Sequence, residues 1–232
     1  MTKSTKIPGL FITGTGTGVG KTYVGALIAK WLAASGRKVG VYKPAASDCR
    51  REDGVLVSDD AVALWDAAGR PGDLEHVCPQ RFEAPLAPHL AARAEGRTLD
   101  ADLLRRGLEY WQQRSEIILV EGAGGLMSPL GDDEYVADLA EEFAFPLVVV
   151  SCNMLGTINQ TLQTLITASV FREGLSVAGV VLNHPKPPTT EDSSLSLNRQ
   201  ELDHRCVPPI LAEVGWGADD FDIEVNWGTL AR

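Results

Sequence analysis

Leu10-Phe11-Ile12-Thr13 runs directly into Gly14-Thr15-Gly16-Thr17-Gly18-Val19-Gly20-Lys21-Thr22. An apolar strand, a glycine-rich turn and a Lys-Thr pair opening a helix thus follow one another. Glycines let the backbone curl so that several N–H groups converge on an anion. The helix adds unpaired N–H groups and the positive end of its dipole. Lys21 can reach the outer phosphates of a nucleotide, and the Thr22 hydroxyl can ligate Mg2+. The loop departs from G-x-x-x-x-G-K-[ST] in one respect. Thr15 occupies the place of the outer glycine, and Gly14 lies one residue earlier. One more residue therefore separates the glycines.

Outward from this loop, the pattern alternates. A helix is predicted from about residue 22 to 35, with Val24, Leu27, Ile28, Trp31 and Leu32 on one apolar stripe and Ser35-Gly36 ending it. Val39-Gly40-Val41-Tyr42 reads as a second strand ending at Lys43-Pro44. A helix begins near Ser58-Asp59-Asp60, whose short polar side chains can cap it. Residues 71–98 carry too many Pro and Gly to assign. From Asp100 to Gln113 the pattern is helical, with Leu103, Leu104, Leu108 and Trp111 on one side. Ile117-Ile118-Leu119-Val120, Pro146 to Val150 and Val177 to Leu182 read as buried strands, with a helix from about Thr157 to Arg172. Pro185 to Ser194 reads as a mobile polar loop, and Pro209 to Ala212 as a last strand. Continuous β-branched runs alternating with amphipathic helices predict one α/β domain over residues 1–232. Its core would be a doubly wound, mostly parallel sheet flanked by helices.

In such sheets ligands bind beyond the carboxyl ends of the strands. The glycine-rich loop, Lys43, Glu121 and Asn183 each follow a predicted strand, so they should share one rim. Glu121 precedes Gly122-Ala123-Gly124-Gly125, and a carboxylate there resembles the acid that helps hold Mg2+ beside such loops. Lys43 can offset charge on a transferring phosphoryl group. Asp60 reads equally as a Mg2+ ligand or a helix cap, and Ser47 as a loop serine. His76, His89, His184 and His204 are scattered and form no ligand pair.

The 232 residues carry a formal net charge of −10, a poor basis for binding nucleic acid or an anionic membrane. Cys49, Cys78, Cys152 and Cys206 show neither C-x-x-C spacing nor a disulfide framework, which predicts free thiols in a reducing cytoplasm. The apolar stretch before Thr13 is too short for a signal peptide, and no run is long enough to span a membrane.

Taken together, these segments resemble the dethiobiotin synthetase family. The resemblance rests on Thr13 to Thr22, Tyr42-Lys43-Pro44, Ser58 to Leu64, Glu83-Ala84-Pro85-Leu86-Ala87-Pro88-His89, Val120 to Leu126, Leu155 to Asn159 and Val180 to Asn183. It covers most of residues 10–185, in order. It implies a P-loop NTPase fold and an ATP- and Mg2+-dependent cyclising ligase of biotin synthesis, acting on 7,8-diaminopelargonic acid and CO2. By that resemblance Gly18, Val19, Gly20, Lys21, Thr22, Tyr23, Gly122, Ala123 and Gly124 would line the nucleotide. Thr22, Asp60 and Glu121 would ligate Mg2+, and Asn183 would read adenine. Lys43 would stabilise the carbamate and the transferring phosphoryl group, with Lys21 and Thr17 assisting. Thr17, Lys43 and Ser47 would contact the substrate. Gly156, Thr157, Ile158 and Asn159 would hold its distal carboxylate across the interface of a homodimer.

The chain also departs from that family. Relatives often carry acidic residues where Gly16 and Gly18 stand, so an acidic contact is missing or replaced here. His184 follows Asn183 where Asp is common, and Gly215-Trp216-Gly217 stands for a Pro-Trp-Leu-like nucleotide contact. Two other families compete. A partition-type or regulatory ATPase would carry a second lysine five residues before Lys21, where this chain has Gly16. An amidotransferase-type synthetase would need a glutamine-hydrolysing domain, for which these residues leave no room.

Overall fold

The computed structural model describes residues 7–187 and 194–232. β1 (Gly9–Gly14) leads into α1 (Lys21–Ala34), and β2 (Val39–Tyr42) follows. Next come β3 (Ala45–Ala46), β4 (Arg50–Glu52), β5 (Val55–Val57), α2 (Asp59–Ala67), α3 (Leu74–Val77), β6 (Gln80–Arg81), α4 (Pro88–Ala94) and α5 (Ala101–Gln112). The second half holds β7 (Ile117–Glu121), α6 (Val136–Phe143), β8 (Leu147–Cys152), α7 (Thr157–Val170), β9 (Val177–Asn183), α8 (Leu195–Arg205), β10 (Ile210–Val214) and α9 (Trp227–Leu230).

The main sheet has six parallel strands in the order β10-β9-β8-β1-β7-β2, flanked by helices. Every residue of β1, β2 and β7 is buried, which is why these strands read as continuous apolar runs. The chain leaves β1 for β2, two places away, then fills the gap with β7. It next crosses to β8 on the other side of β1 and steps outward through β9 and β10. The direction of winding therefore reverses beside β1, and the crevice opens at the carboxyl ends of β1 and its neighbours.

Most predicted elements are present with shifts of a residue or two. Of the predicted stripe on α1, Val24, Ile28 and Leu32 are buried; Leu27 and Trp31 are only partly covered. The Ser58 hydroxyl caps α2 by accepting from the Ala61 N–H at 3.2 Å. Residues 71–98, unassigned from sequence, fold into α3, β6 and α4. Three further features were not anticipated. The hairpin β4–β5 turns on Asp53-Gly54, whose φ angles of 48° and 84° are both left-handed, as a two-residue loop of this type demands. α6 buries Val136, Leu139, Ala140 and Phe143 on one face. α8 lies behind the segment read as a mobile loop; residues 188–193 of that segment lie outside the described residues. The four cysteines are free thiols, Cys49 and Cys78 buried. No described helix is long and apolar enough to cross a membrane.

Candidate active site at the strand ends

The loop after β1 closes with Gly20 as the N-cap of α1 at φ 92°. An added Cβ there would meet the Asn183 amide nitrogen at 2.0 Å, so glycine is demanded by space as well as by backbone angle. Asn183 is buried and its Nδ2 donates to the Val19 carbonyl at 2.9 Å, tying the end of β9 to the loop. Lys21, 8% exposed, folds back to donate to the Gly16 carbonyl at 2.9 Å. Burial lowers its pKa, with Lys43 adding repulsion; Glu121 and Asp60 offset this only in part.

At the ends of β2 and β7, a buried ion cluster forms. Lys43 Nζ lies 2.5 Å from Glu121 Oε1 and 3.0 Å from Asp60 Oδ2. The Thr22 hydroxyl donates to the same Glu121 oxygen at 2.9 Å. Burial alone would strip the charge from Lys43. Glu121 and Asp60 outweigh it and hold the ammonium above its ordinary pKa. Burial likewise opposes ionisation of Asp60, and Lys43, Thr22 and Lys21 outweigh it, so that carboxyl lies below its ordinary value. The second carboxylate oxygen, Glu121 Oε2, is buried with no hydrogen-bond partner. Gly25 of α1 packs alongside, where an added Cβ would lie 3.1 Å from Leu64 Cδ2 and in ordinary contact with that oxygen.

An orphaned oxygen beside Thr22 and Asp60 fits a hard cation that takes oxygen ligands. Among the described residues no cluster of three His, Cys, Asp or Glu side chains could hold an ion alone. A Mg2+ held here would keep several waters and share its ligands with phosphate oxygens.

A cleft of about 440 Å³ covers this cluster, lined by Thr17, Gly18, Gly20, Lys21, Thr22, Tyr23, Lys43, Ser47, Asp60, Glu121, Ala123 and Gly124 among others. A second cavity of about 450 Å³ continues from it past Thr17, Ser47, Ala123 and Gly124 to a wall of Pro85, Leu86, Ala87 and Pro88. The structure thus brings together every predicted loop and Mg2+ residue except Val19, which is buried beneath the loop, and Gly122. Gly122 packs against Val136 and Phe11 instead of lining the cleft.

Gly156, Thr157, Ile158 and Asn159 also stand apart from the cleft, at the end of β8. Gly156 has φ 97° and starts α7 with no side-chain cap, while the Thr157 side chain turns inward to Ser151 at 2.8 Å. Tyr23 reaches across to donate to the Ala218 carbonyl at 2.5 Å, beside the exposed Trp216. His184, next to Asn183, is held between Asn153 and Glu213. Sequence reading missed the proline-framed wall as part of the site, although Glu83 to His89 had stood out as a family segment.

A protein-family model described as an AAA domain matches residues 8–219. The ATP-dependent dethiobiotin synthetase BioD of Rhodopirellula baltica is 40% identical over 215 residues, covering 88% of this chain and 82% of that protein. The protein of the same name from Thermodesulfovibrio yellowstonii is 34% identical over 93% of this chain and 97% of its own length. This chain belongs to the dethiobiotin synthetase family. Among solved structures, a ParA family ATPase from Chlorobium tepidum matches with a TM-score of 0.52 at 14% identity, over 90% of this chain and 83% of that one. That likeness is one of fold. Within the loop after β1, Gly16 and Gly18 stand in open space. No atom lies within 4 Å of a Cβ built on either, and Gly18 has φ 75°.

Proposed function

We propose that the chain is an ATP-dependent dethiobiotin synthetase of biotin synthesis. In that reaction one amine of 7,8-diaminopelargonic acid captures CO2 as a carbamate. A carbamate oxygen attacks the γ-phosphorus of ATP and ADP departs. The second amine then attacks the carbonyl carbon, closes the ureido ring and expels phosphate. The observation that carries this reading is Lys43. A buried ammonium held charged at a strand end, lining the cleft beside a phosphate loop, suits a site where two anions must meet.

Lys43 would bridge the carbamate and the γ-phosphate, so their mutual repulsion falls as they approach. Lys21 leaves the Gly16 carbonyl for the outer phosphates, and the N–H groups from Gly18 to Thr22 cradle them. Thr22, Asp60 and Glu121 would hold Mg2+, which neutralises phosphate charge and orients the leaving group. Thr17 and Ser47, at the junction of the two cavities, contact the substrate. Holding both amines near one carbon makes ring closure intramolecular. Asn183, fixed to the loop through Val19, reads adenine. The first-turn residues Gly156 to Asn159 of α7, which carry no side-chain cap, lie outside this chain's own cleft. They suit the substrate carboxylate of a partner copy in a homodimer working in the cytoplasm.

Phosphate release from MgATP, measured with and without the diamine and bicarbonate, tests the reading. Release should require both. Release indifferent to the diamine would favour a regulatory ATPase.

A further inference from the structure

We propose that Asp48 is a substrate-binding residue whose carboxylate takes one ammonium group of the vicinal diamine. This rests on the synthetase reading. Asp48 is a non-glycine residue at φ 58°, a left-handed conformation that costs free energy unless the surroundings impose it. They do impose it. Its N–H donates to the Ala84 carbonyl at 3.3 Å, and the next N–H, of Cys49, donates to Phe82 at 3.0 Å. Just before it, β3 pairs with β6. The residue is thereby pinned at the mouth shared by the phosphate cleft and the proline-walled cavity, and it lines both.

No hydrogen bond or ion pair engages the Asp48 carboxylate among the described residues, and the side chain is exposed to the cleft. The other carboxylates of the cleft are committed: Glu121 and Asp60 to Lys43. The phosphate loop has no acid to offer, because Gly16 and Gly18 carry no side chain. Among the described residues lining the cleft, Asp48 is the carboxylate left without a lysine partner, so it is the counter-charge available to an ammonium group. Two ammonium groups on adjacent carbons repel each other, so one of the pair loses its proton readily. Asp48 binds the amine that stays charged. The neutral amine is left toward Lys43, free to capture CO2.

The test compares wild type with Asp48→Asn, and with Asp48→Gly, whose glycine adopts the left-handed angle freely and guards against misfolding. KM for the diamine should rise about tenfold to a hundredfold in both variants, the range expected for a lost charged contact. KM for ATP should hold, and Asp48→Glu should restore part of the loss. Calorimetric titration of the diamine, and of nonanoic acid as an amine-free probe, into each protein with MgADP gives a second readout. Only diamine affinity should fall. An unchanged diamine KM in both variants, in a wild type whose phosphate release needs the diamine, overturns the proposal and leaves the synthetase reading intact. Equal loss of diamine and nonanoic acid affinity also overturns it, since the residue would then shape the loop. A wild type that binds the diamine through Asp48 without turnover sinks the reaction and keeps the site. A wild type that binds no diamine sinks both.

Discussion

The rim of the cleft and its outer wall are built differently. On the rim, Lys21, Lys43 and Glu121 are 8%, 3% and 1% exposed, and each sits at the end of a sheet strand or the start of α1. Apart from Glu121 Oε2, their side-chain polar atoms are bonded to one another or to the loop. On the wall and its mouth, Asp48 is exposed, Leu86 is 45% exposed, and the backbone runs through short connections between minor elements. Groups that must meet a transferring phosphoryl group to within a fraction of an ångström are carried by the sheet. Groups that recognise a flexible substrate are carried by loops pinned to it. The rim should therefore govern turnover, and the wall should govern substrate affinity.

Lys43→Ala is the severest test of that division. Turnover should fall about a hundredfold to a thousandfold, the scale of losing one preorganised charge-stabilising donor. KM for ATP should change only a few-fold, because Lys21 and the loop amides remain. An unchanged kcat would remove Lys43 from the chemistry and erase the distinction between rim and wall. The same side chain also stabilises the fold. Lys43→Met leaves the Glu121 carboxylate buried without its cation, and should cost about 3 kcal/mol in urea unfolding near neutral pH. The folded-state pKa of Lys43 is raised above the ordinary 10.5. Its stabilisation is therefore fully present below pH 10.5 and is lost as pH climbs through the folded value. Wild type and Lys43→Met should then converge in stability as pH rises past that value, while the share carried by Asp60, whose pKa Lys43 lowers, is lost on the acid side. A stability difference that persists undiminished at high pH would remove the Lys43 ammonium from the cluster's stability.

Gly20→Ala probes how the rim holds its shape. The added methyl meets both a left-handed backbone and the Asn183 amide. About 2 kcal/mol of stability should be lost, and affinity for ATP should weaken as Asn183 is pushed off Val19. Gly16→Ala, with φ permissive and open space around it, serves as the neutral comparison. If the two variants behave alike, the loop adjusts freely and the rim is less rigid than its hydrogen bonds indicate.

The rim was legible in the sequence because its signals are local. Apolar strands, a glycine-rich turn and a charged residue at each strand end need no knowledge of distant partners. The wall was not, because its position depends on pairing across many residues. Ala45-Ala46 beside Gln80-Arg81 is a two-residue ladder with no periodicity to detect. Asp53-Gly54 did carry a hairpin signal, but β4 is wholly exposed, β5 is at most half buried, and neither shows apolar alternation. Asn183 was legible as a strand-end residue; its bond to Val19, 164 positions away, was not. The apolar spacing of α6 was readable too, yet it sits directly after the acidic run Asp132-Asp133-Glu134. In the fold that run is partly neutralised by ion pairs to Arg93 and Arg105.

Leu86→Ala makes the smallest demand and bears on the wall alone. Leu86 stands between Pro85 and Ala87-Pro88, whose rings limit how far the backbone can relax when the side chain is shortened. The half-exposed isobutyl group can cover part of the substrate's methylene chain, and losing that cover should raise KM for the diamine about fivefold. The contact is the same in the ground state and the transition state, so kcat should hold. Steady-state kinetics with the diamine varied at saturating MgATP and bicarbonate separates the two parameters. A fall in kcat with KM unchanged would mean that the wall moves during the reaction and helps align the reacting groups. The loop-borne wall would then share the work otherwise confined to the strand ends.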